Sequence, residues 1–135
     1  MGKPEEAIEK FRKGYNCCQA VACTFAEEAG VDEAVLYKVC EGFGRGMGTA
    51  QGVCGAVSGA AILAGLANSN GDIANAGKTK KLSMQAAGSI QREFVQRVGA
   101  LACKDIKTGD GVKPYASCAD CIRIAAEIAQ DKLEF

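Results

Sequence analysis

From Pro4 to Ala29 the apolar residues Ala7, Ile8, Phe11, Tyr15, Cys18, Val21, Ala22 and Phe25 recur at three- and four-residue steps, the spacing of one face of an amphipathic helix. Pro4 suits a first helical turn, Glu5 and Glu6 complement the positive end of the dipole, and Gly30 is a natural stop. Gly14 interrupts the pattern and costs about 1 kcal/mol relative to alanine inside a helix. A break there would start a second short helix near Cys17. The next helix is expected to open at Asp32, as its cap, with Val35, Leu36, Val39 and Cys40 on its apolar side.

Eight of the chain's 17 glycines then fall between positions 42 and 65. Glu41 to Gln51 is too glycine-rich for a helix and reads as a loop that turns sharply or approaches something closely. Gly52 to Leu66 reads as a helix with a small-residue face, because Gly55 and Gly59 are four apart, as are Ala56 and Ala60. Such a face admits a neighbouring helix of this chain or of a second copy, and a homodimer is slightly favoured. Asn68 to Gly71 marks a connection. Helical spacing returns near Ser83 and runs to Cys103 through Met84, Ala87, Ile90, Phe94, Val95, Val98 and Leu101. Lys104 to Lys113 reads as a loop, and Pro114 starts a last helix with Ile122, Ala125, Ala126, Ile128 and Ala129 inward. No strand run and no internal repeat is visible. The expectation is one all-α domain over residues 1–135, a bundle of about five helices with a glycine-rich loop.

Composition narrows the chemistry. The 135 residues carry 16 Lys+Arg against 16 Asp+Glu, with no basic stripe of the kind that nucleic acid or an anionic membrane requires, so neither is expected as a partner. The near-uncharged stretch from Gly52 to Ala67 is too short to span a bilayer, which needs about 20 apolar residues, so no membrane insertion is expected. The N-terminus leads into a charged amphipathic segment without an apolar signal region, and a cytoplasmic location is expected. With no histidine, Ser/His/Asp and Cys/His catalysis, HExxH zinc sites and histidine-ligated haem are excluded. Eight cysteines remain to carry the chemistry, and in a reducing cytosol they point to metal or redox roles before structural disulfides.

Cys23 and Cys40 stand alone within helical patterns and read as core filler. Cys17 and Cys18 are about 100° apart on a helix, so one faces a site and the other packs. Cys54 opens the small-residue helix, where free N–H groups and the dipole favour a thiolate. Cys103 is expected to close the long helix, and Cys118 and Cys121 form a CxxC with both sulfurs on one face of the last helix. Three chemistries can use this set. A zinc site usually takes two CxxC knuckles, and only one is present. An iron-sulfur cluster needs four thiolates and close backbone N–H groups, which Gly52 and Gly55 beside Cys54 can supply. A dithiol pair needs only Cys118 and Cys121.

Cys54-Gly55-Ala56-Val57-Ser58-Gly59 makes a CGAxxG run, and with Gly14-Tyr15-Asn16-Cys17, the glycines from Gly42 to Gly48, and the later Cys103 and CxxC, nearly the whole chain resembles the C_GCAxxG_C_C family of redox-active proteins. The resemblance implies four recurring cysteines, which fall here on Cys17, Cys54, Cys103 and, by its spacing to Ile122 and Ile128, Cys118 in preference to Cys121. Cys18 after Cys17 departs from the family's usual small residue and leaves open which of the two faces the site. These four are expected to converge in one pocket roofed by the Gly42–Gly52 loop and to bind an iron-sulfur cluster as metal ligands, for electron transfer or redox sensing with a partner protein whose identity the residues do not give. The alternatives are a cofactor-free thiol/disulfide oxidoreductase acting through the CxxC at 118–121, and a zinc-stabilised helical binding module.

Overall fold

The computed structural model describes residues 1–135 and is all-α, with a single isolated bridge between Val53 and Ala102. Nine helical segments are present: α1 Lys3–Arg12, α2 Cys17–Thr24, α3 Ala26–Ala29, α4 Glu33–Cys40, α5 Gly44–Met47, α6 Gly55–Asn68, α7 Lys80–Val98, α8 Cys103–Thr108 and α9 Cys118–Lys132. The five expected helices are divided further, at Gly14, at Phe25 between α2 and α3, and at Gly99, while Gly30 is a stop as expected. Gly14 at φ 116° separates α1 from α2, Gly30 at φ 72° ends α3, and Gly99 at φ 111° stops α7.

Several boundaries differ from expectation for local reasons. Asp32 precedes α4, yet its side chain makes no capping hydrogen bond. Val35 and Val39 are 52% exposed, leaving Leu36 and Cys40 as the buried face of that helix. Residues 104–108 are helical, not looped, and α9 begins at Cys118 instead of Pro114, because the Ser117 hydroxyl accepts the Asp120 N–H and caps it. Met84 and Val95 of α7 are exposed, while Ile90, Phe94 and Val98 are buried.

The hydrophobic core is one cluster of 27 buried residues, rich in alanine and centred on α6. The inward face of α6 is Gly55, Ala56, Val57, Gly59, Ala60, Leu63 and Ala64. Against it pack α2, α7 and α9, and α1 closes over α2 and α9. The small-residue edge of α6 is filled by α2 of the same chain. A Cβ at Gly59 would stand 2.7 Å from the Cys18 carbonyl oxygen and 3.2 Å from Val21 Cβ, and one at Gly55 would collide with Cys17 Sγ. Two backbones meet here without intervening side chains, which sets α2 low enough on α6 to bring Cys17 beside Cys54.

This contact predicts opposite outcomes within one helix. Gly59→Ala is expected to lower the stability by about 1–3 kcal/mol, since a backbone carbonyl must move to admit the methyl. Gly65→Ala, where nothing lies within 4 Å of the new Cβ, is expected to be neutral or to raise it by roughly 0.5–1 kcal/mol. Urea unfolding of the two variants measures both.

Candidate functional site

Four separate stretches deliver a cysteine to one place, each at the start of a helix. Cys17 is the first residue of α2, Cys54 is the N-cap of α6, and Cys103 and Cys118 are the first residues of α8 and α9. Each start is locally encoded. Asn16 closes a capping box, its side chain accepting from the Gln19 N–H while Gln19 Oε1 accepts the Asn16 N–H, both at 2.9 Å. The Asn16 amide also donates to the Glu41 carbonyl, and Gly44 lies against the same side chain, so the glycine-rich segment is moored to the start of α2.

Cys54 and Cys103 are held together by main chain. The Cys54 N–H donates to Leu101 O at 2.8 Å, the Cys103 N–H to Gly52 O at 3.0 Å, and the Lys104 N–H to Ala50 O at 2.8 Å. Cys103 therefore opens α8 instead of closing the long helix, because Gly99 has already turned the chain toward this stitch. The glycine-rich segment is a left-handed turn, with φ of 53° at Arg45, 58° at Gly46, 64° at Met47 and 82° at Gly48. Gly46 is required by space as well as by φ: a Cβ there would be 2.8 Å from both Cys103 Cβ and Gly52 O.

The result is a cavity of about 230 Å³ lined by Phe11, Asn16, Cys17, Arg45, Cys54, Gly55, Cys103, Ile106, Lys107, Ala116, Cys118 and Cys121. All four sequence-expected cysteines border it, and so does Cys121. Of the two glycines expected to support a cofactor, Gly55 lines the cavity, whereas Gly52 lies behind it against Gly46. From the segment expected to roof the pocket, Arg45 is the residue that reaches the lining. Cys18, Cys23 and Cys40 are buried in the core, away from the lining. Sequence reasoning did not single out Arg45 or Lys107, although Arg45 had a signal, being the one charged residue between Gly42 and Gly65.

The pocket thiols are not equivalent. Cys54 is drawn down from the ordinary thiol value to about 7, first by a hydrogen bond from the Cys121 thiol, then by the Ala56 and Val57 N–H groups and by Lys107, against the effect of burial. Cys121 moves the other way, raised by donating to Cys54 and by burial. Burial also pushes Cys17 up, despite the N–H groups of Arg45 and Cys18 at its sulfur, and raises Cys103. Cys118 is exposed at the rim. The CxxC is thus divided between roles, with Cys121 turned inward to Cys54 and Cys118 facing solvent. In the core, Cys18 is raised by its hydrogen bond with Cys40 and by burial, and the same bond lowers Cys40.

As the side chains stand, no group of three or more His, Cys, Asp or Glu residues is arranged to hold a metal ion. Cys17, Cys54, Cys103 and Cys118, which border one cavity, are the thiols that would supply ligands to a zinc ion or to an iron-sulfur cluster.

The thiolate is the nucleophile, so alkylation of Cys54 by iodoacetamide is expected to rise with pH and level off with a midpoint near 7, about two units below the ordinary thiol value of 9.0. Cys121→Ala removes the donor and is expected to move that midpoint upward. Peptide-resolved alkylation rates between pH 5 and 10 measure both.

No helix is long and apolar enough to cross a membrane. No curated protein and no solved structure matches the chain. The family model described as "Putative redox-active protein (C_GCAxxG_C_C)" matches residues 15–132, from the tyrosine before the first pocket cysteine to the end of α9. With most of its length matched, the chain belongs to the C_GCAxxG_C_C family.

Proposed function

We propose that the cavity is a dithiol redox centre in which Cys54 is the attacking thiolate and Cys121 the resolving thiol, exchanging electrons with disulfide substrates. The observation that carries this reading is the placement of the Cys54 thiol at the start of α6, in the cavity with Cys121, where the Cys121 thiol, the Ala56 and Val57 N–H groups and Lys107 lower its pKa toward about 7. A thiol whose pKa lies near ambient pH is the best attacking group in disulfide exchange, since it combines a large thiolate fraction with retained nucleophilicity. The CxxC expected to act as the pair contributes Cys121, while its exposed Cys118 is placed to meet a redox partner.

The Cys54 sulfur attacks one sulfur of R–S–S–R, forming Cys54–S–S–R and releasing RS⁻. Cys121 then gives up its proton to that leaving thiolate and attacks the Cys54 sulfur, forming a Cys54–Cys121 disulfide and releasing the second RS⁻, which takes a proton from water. The substrate disulfide is reduced by two electrons and the protein dithiol is oxidised by two. A dithiol partner reverses the process and returns the protein to its reduced state.

The five-thiol lining favours a second reading, an iron-sulfur cluster held by Cys17, Cys54, Cys103 and Cys118 with the Gly55 backbone alongside. When bound, such a cluster would supply one-electron transfer. The polypeptide's part in that case is to keep water away with Phe11, Ile106 and Ala116 and to offer N–H groups to the sulfurs.

Trapping separates the readings. With bis(2-hydroxyethyl) disulfide, Cys121→Ser is expected to accumulate one mixed disulfide at Cys54, seen by intact mass, while the unmodified protein releases two thiols per chain and Cys54→Ser releases none. Equal thiol release from Cys54→Ser would overturn the dithiol assignment. Iron with matching sulfide in anaerobically purified protein, lost in Cys54→Ser, would establish the cluster instead.

A further inference from the structure

We propose that this cavity selects an anionic substrate, a small disulfide bearing a carboxylate or a comparable negative group, which Arg45 and Lys107 hold while Cys54 attacks. The inference rests on the dithiol reading above and names the substrate class of the same site.

The charge of the cavity departs from that of the chain. Overall the protein is balanced, 16 cationic side chains to 16 acidic ones, and nine ion pairs distribute that balance over the surface. The cavity lining contains no Asp or Glu at all, and its charged side chains are Arg45 and Lys107. Neither enters an ion pair. They come from different segments, the left-handed turn and α8, that reach the same opening. The remaining wall includes the apolar side chains of Phe11, Ile106 and Ala116. A small apolar cleft with a few convergent charges of one sign concentrates ligands of the opposite sign.

The position of Arg45 adds to this. Its φ of 53° and ψ of 51° lie in the left-handed region, which costs an L-residue roughly 1–2 kcal/mol and which the flanking Gly44 and Gly46 can adopt freely. Met47 and Ala50 of the same segment also have positive φ, and of the three Arg45 is the residue that lines the cavity. The chemistry needs such a group. A thiolate approaching an anionic disulfide is repelled, and two exposed cations at the opening offset that repulsion. They also favour the anionic RS⁻ as it leaves. The Cys54–S bond forms, the substrate S–S bond breaks, and the Cys121 proton passes to the departing thiolate, with two electrons passing from the protein dithiol to the substrate.

The test uses three symmetrical disulfides that differ in end-group charge: dithiodiglycolate, a dianion; bis(2-hydroxyethyl) disulfide, neutral; and cystamine, a dication. Each rate of protein oxidation is divided by the rate of the same disulfide with 2-mercaptoethanol, which removes intrinsic reactivity. The dianion is expected to exceed the neutral compound by about tenfold and the dication to fall below it. Arg45→Gln with Lys107→Gln is expected to bring the dianion-to-neutral ratio close to one, and 1 M salt to reduce it similarly. Because the ratio is taken within each variant, any change in the Cys54 thiolate fraction cancels. Equal normalised rates, a preference for cystamine, or an unchanged ratio in the double variant would overturn the anionic assignment and leave the dithiol centre standing. If none of the three oxidises the protein, the dithiol reading itself fails and this inference with it.

Discussion

The close approach of α2 to α6 is the constraint on which the site depends. Only where position 59 lacks a Cβ can the Cys18 carbonyl lie over α6, and only where position 55 lacks one can the Cys17 sulfur reach the space beside Cys54. Once these two helices are fixed, α9 packs on α6 and carries Cys121 to the same point, and the main-chain stitch between residues 50–54 and 101–104 adds Cys103. The alanine-rich core follows from the same requirement: short side chains let backbones come near, and close backbones place helix starts side by side.

Cys17, Cys54, Cys103 and Cys118 share a position type. Each occupies the N-cap or first residue of a helix, where N–H groups have no partner within the helix and the dipole's positive end lies. Negative charge at such a place is favoured by roughly 0.3–1 kcal/mol per helix at an exposed site. Burial opposes it, and the balance differs from thiol to thiol. At Cys54 a neighbouring thiol donor, two N–H groups and Lys107 together outweigh burial, whereas at Cys17 and Cys103 burial prevails. Of the buried thiols lining the cavity, Cys54 is the one whose pKa is lowered, the property on which the proposed exchange rests.

Much of this was legible in the residues. The 3.6-residue period marked the all-α class, Gly14 marked the break that frees Cys17 to start a helix, and Gly55 and Gly59 marked a close helix contact. Cys23 and Cys40, standing apart from any glycine loop, are core residues. Other features depend on contacts that a linear pattern does not carry. Nothing local distinguishes a cysteine ending α7 from one opening α8, because Leu101 and Ala102 stay apolar through the turn at Gly99. Pro114 resembled a helix start, yet the cap three residues on, Ser117 with Asp120, is the one that forms. The pairing of Cys121 with Cys54 joins residues 67 positions apart and arises only from the packing of α9 on α6, so the CxxC spacing pointed to Cys118 as the partner.

The most direct measurement of the central claim is the identity of the first disulfide formed. Reduced protein, treated with less than one equivalent of a disulfide oxidant, is alkylated and mapped by peptide mass spectrometry. The account predicts a Cys54–Cys121 link with Cys118 still open to alkylation. A first link between Cys118 and Cys121, with Cys54 free, would contradict it.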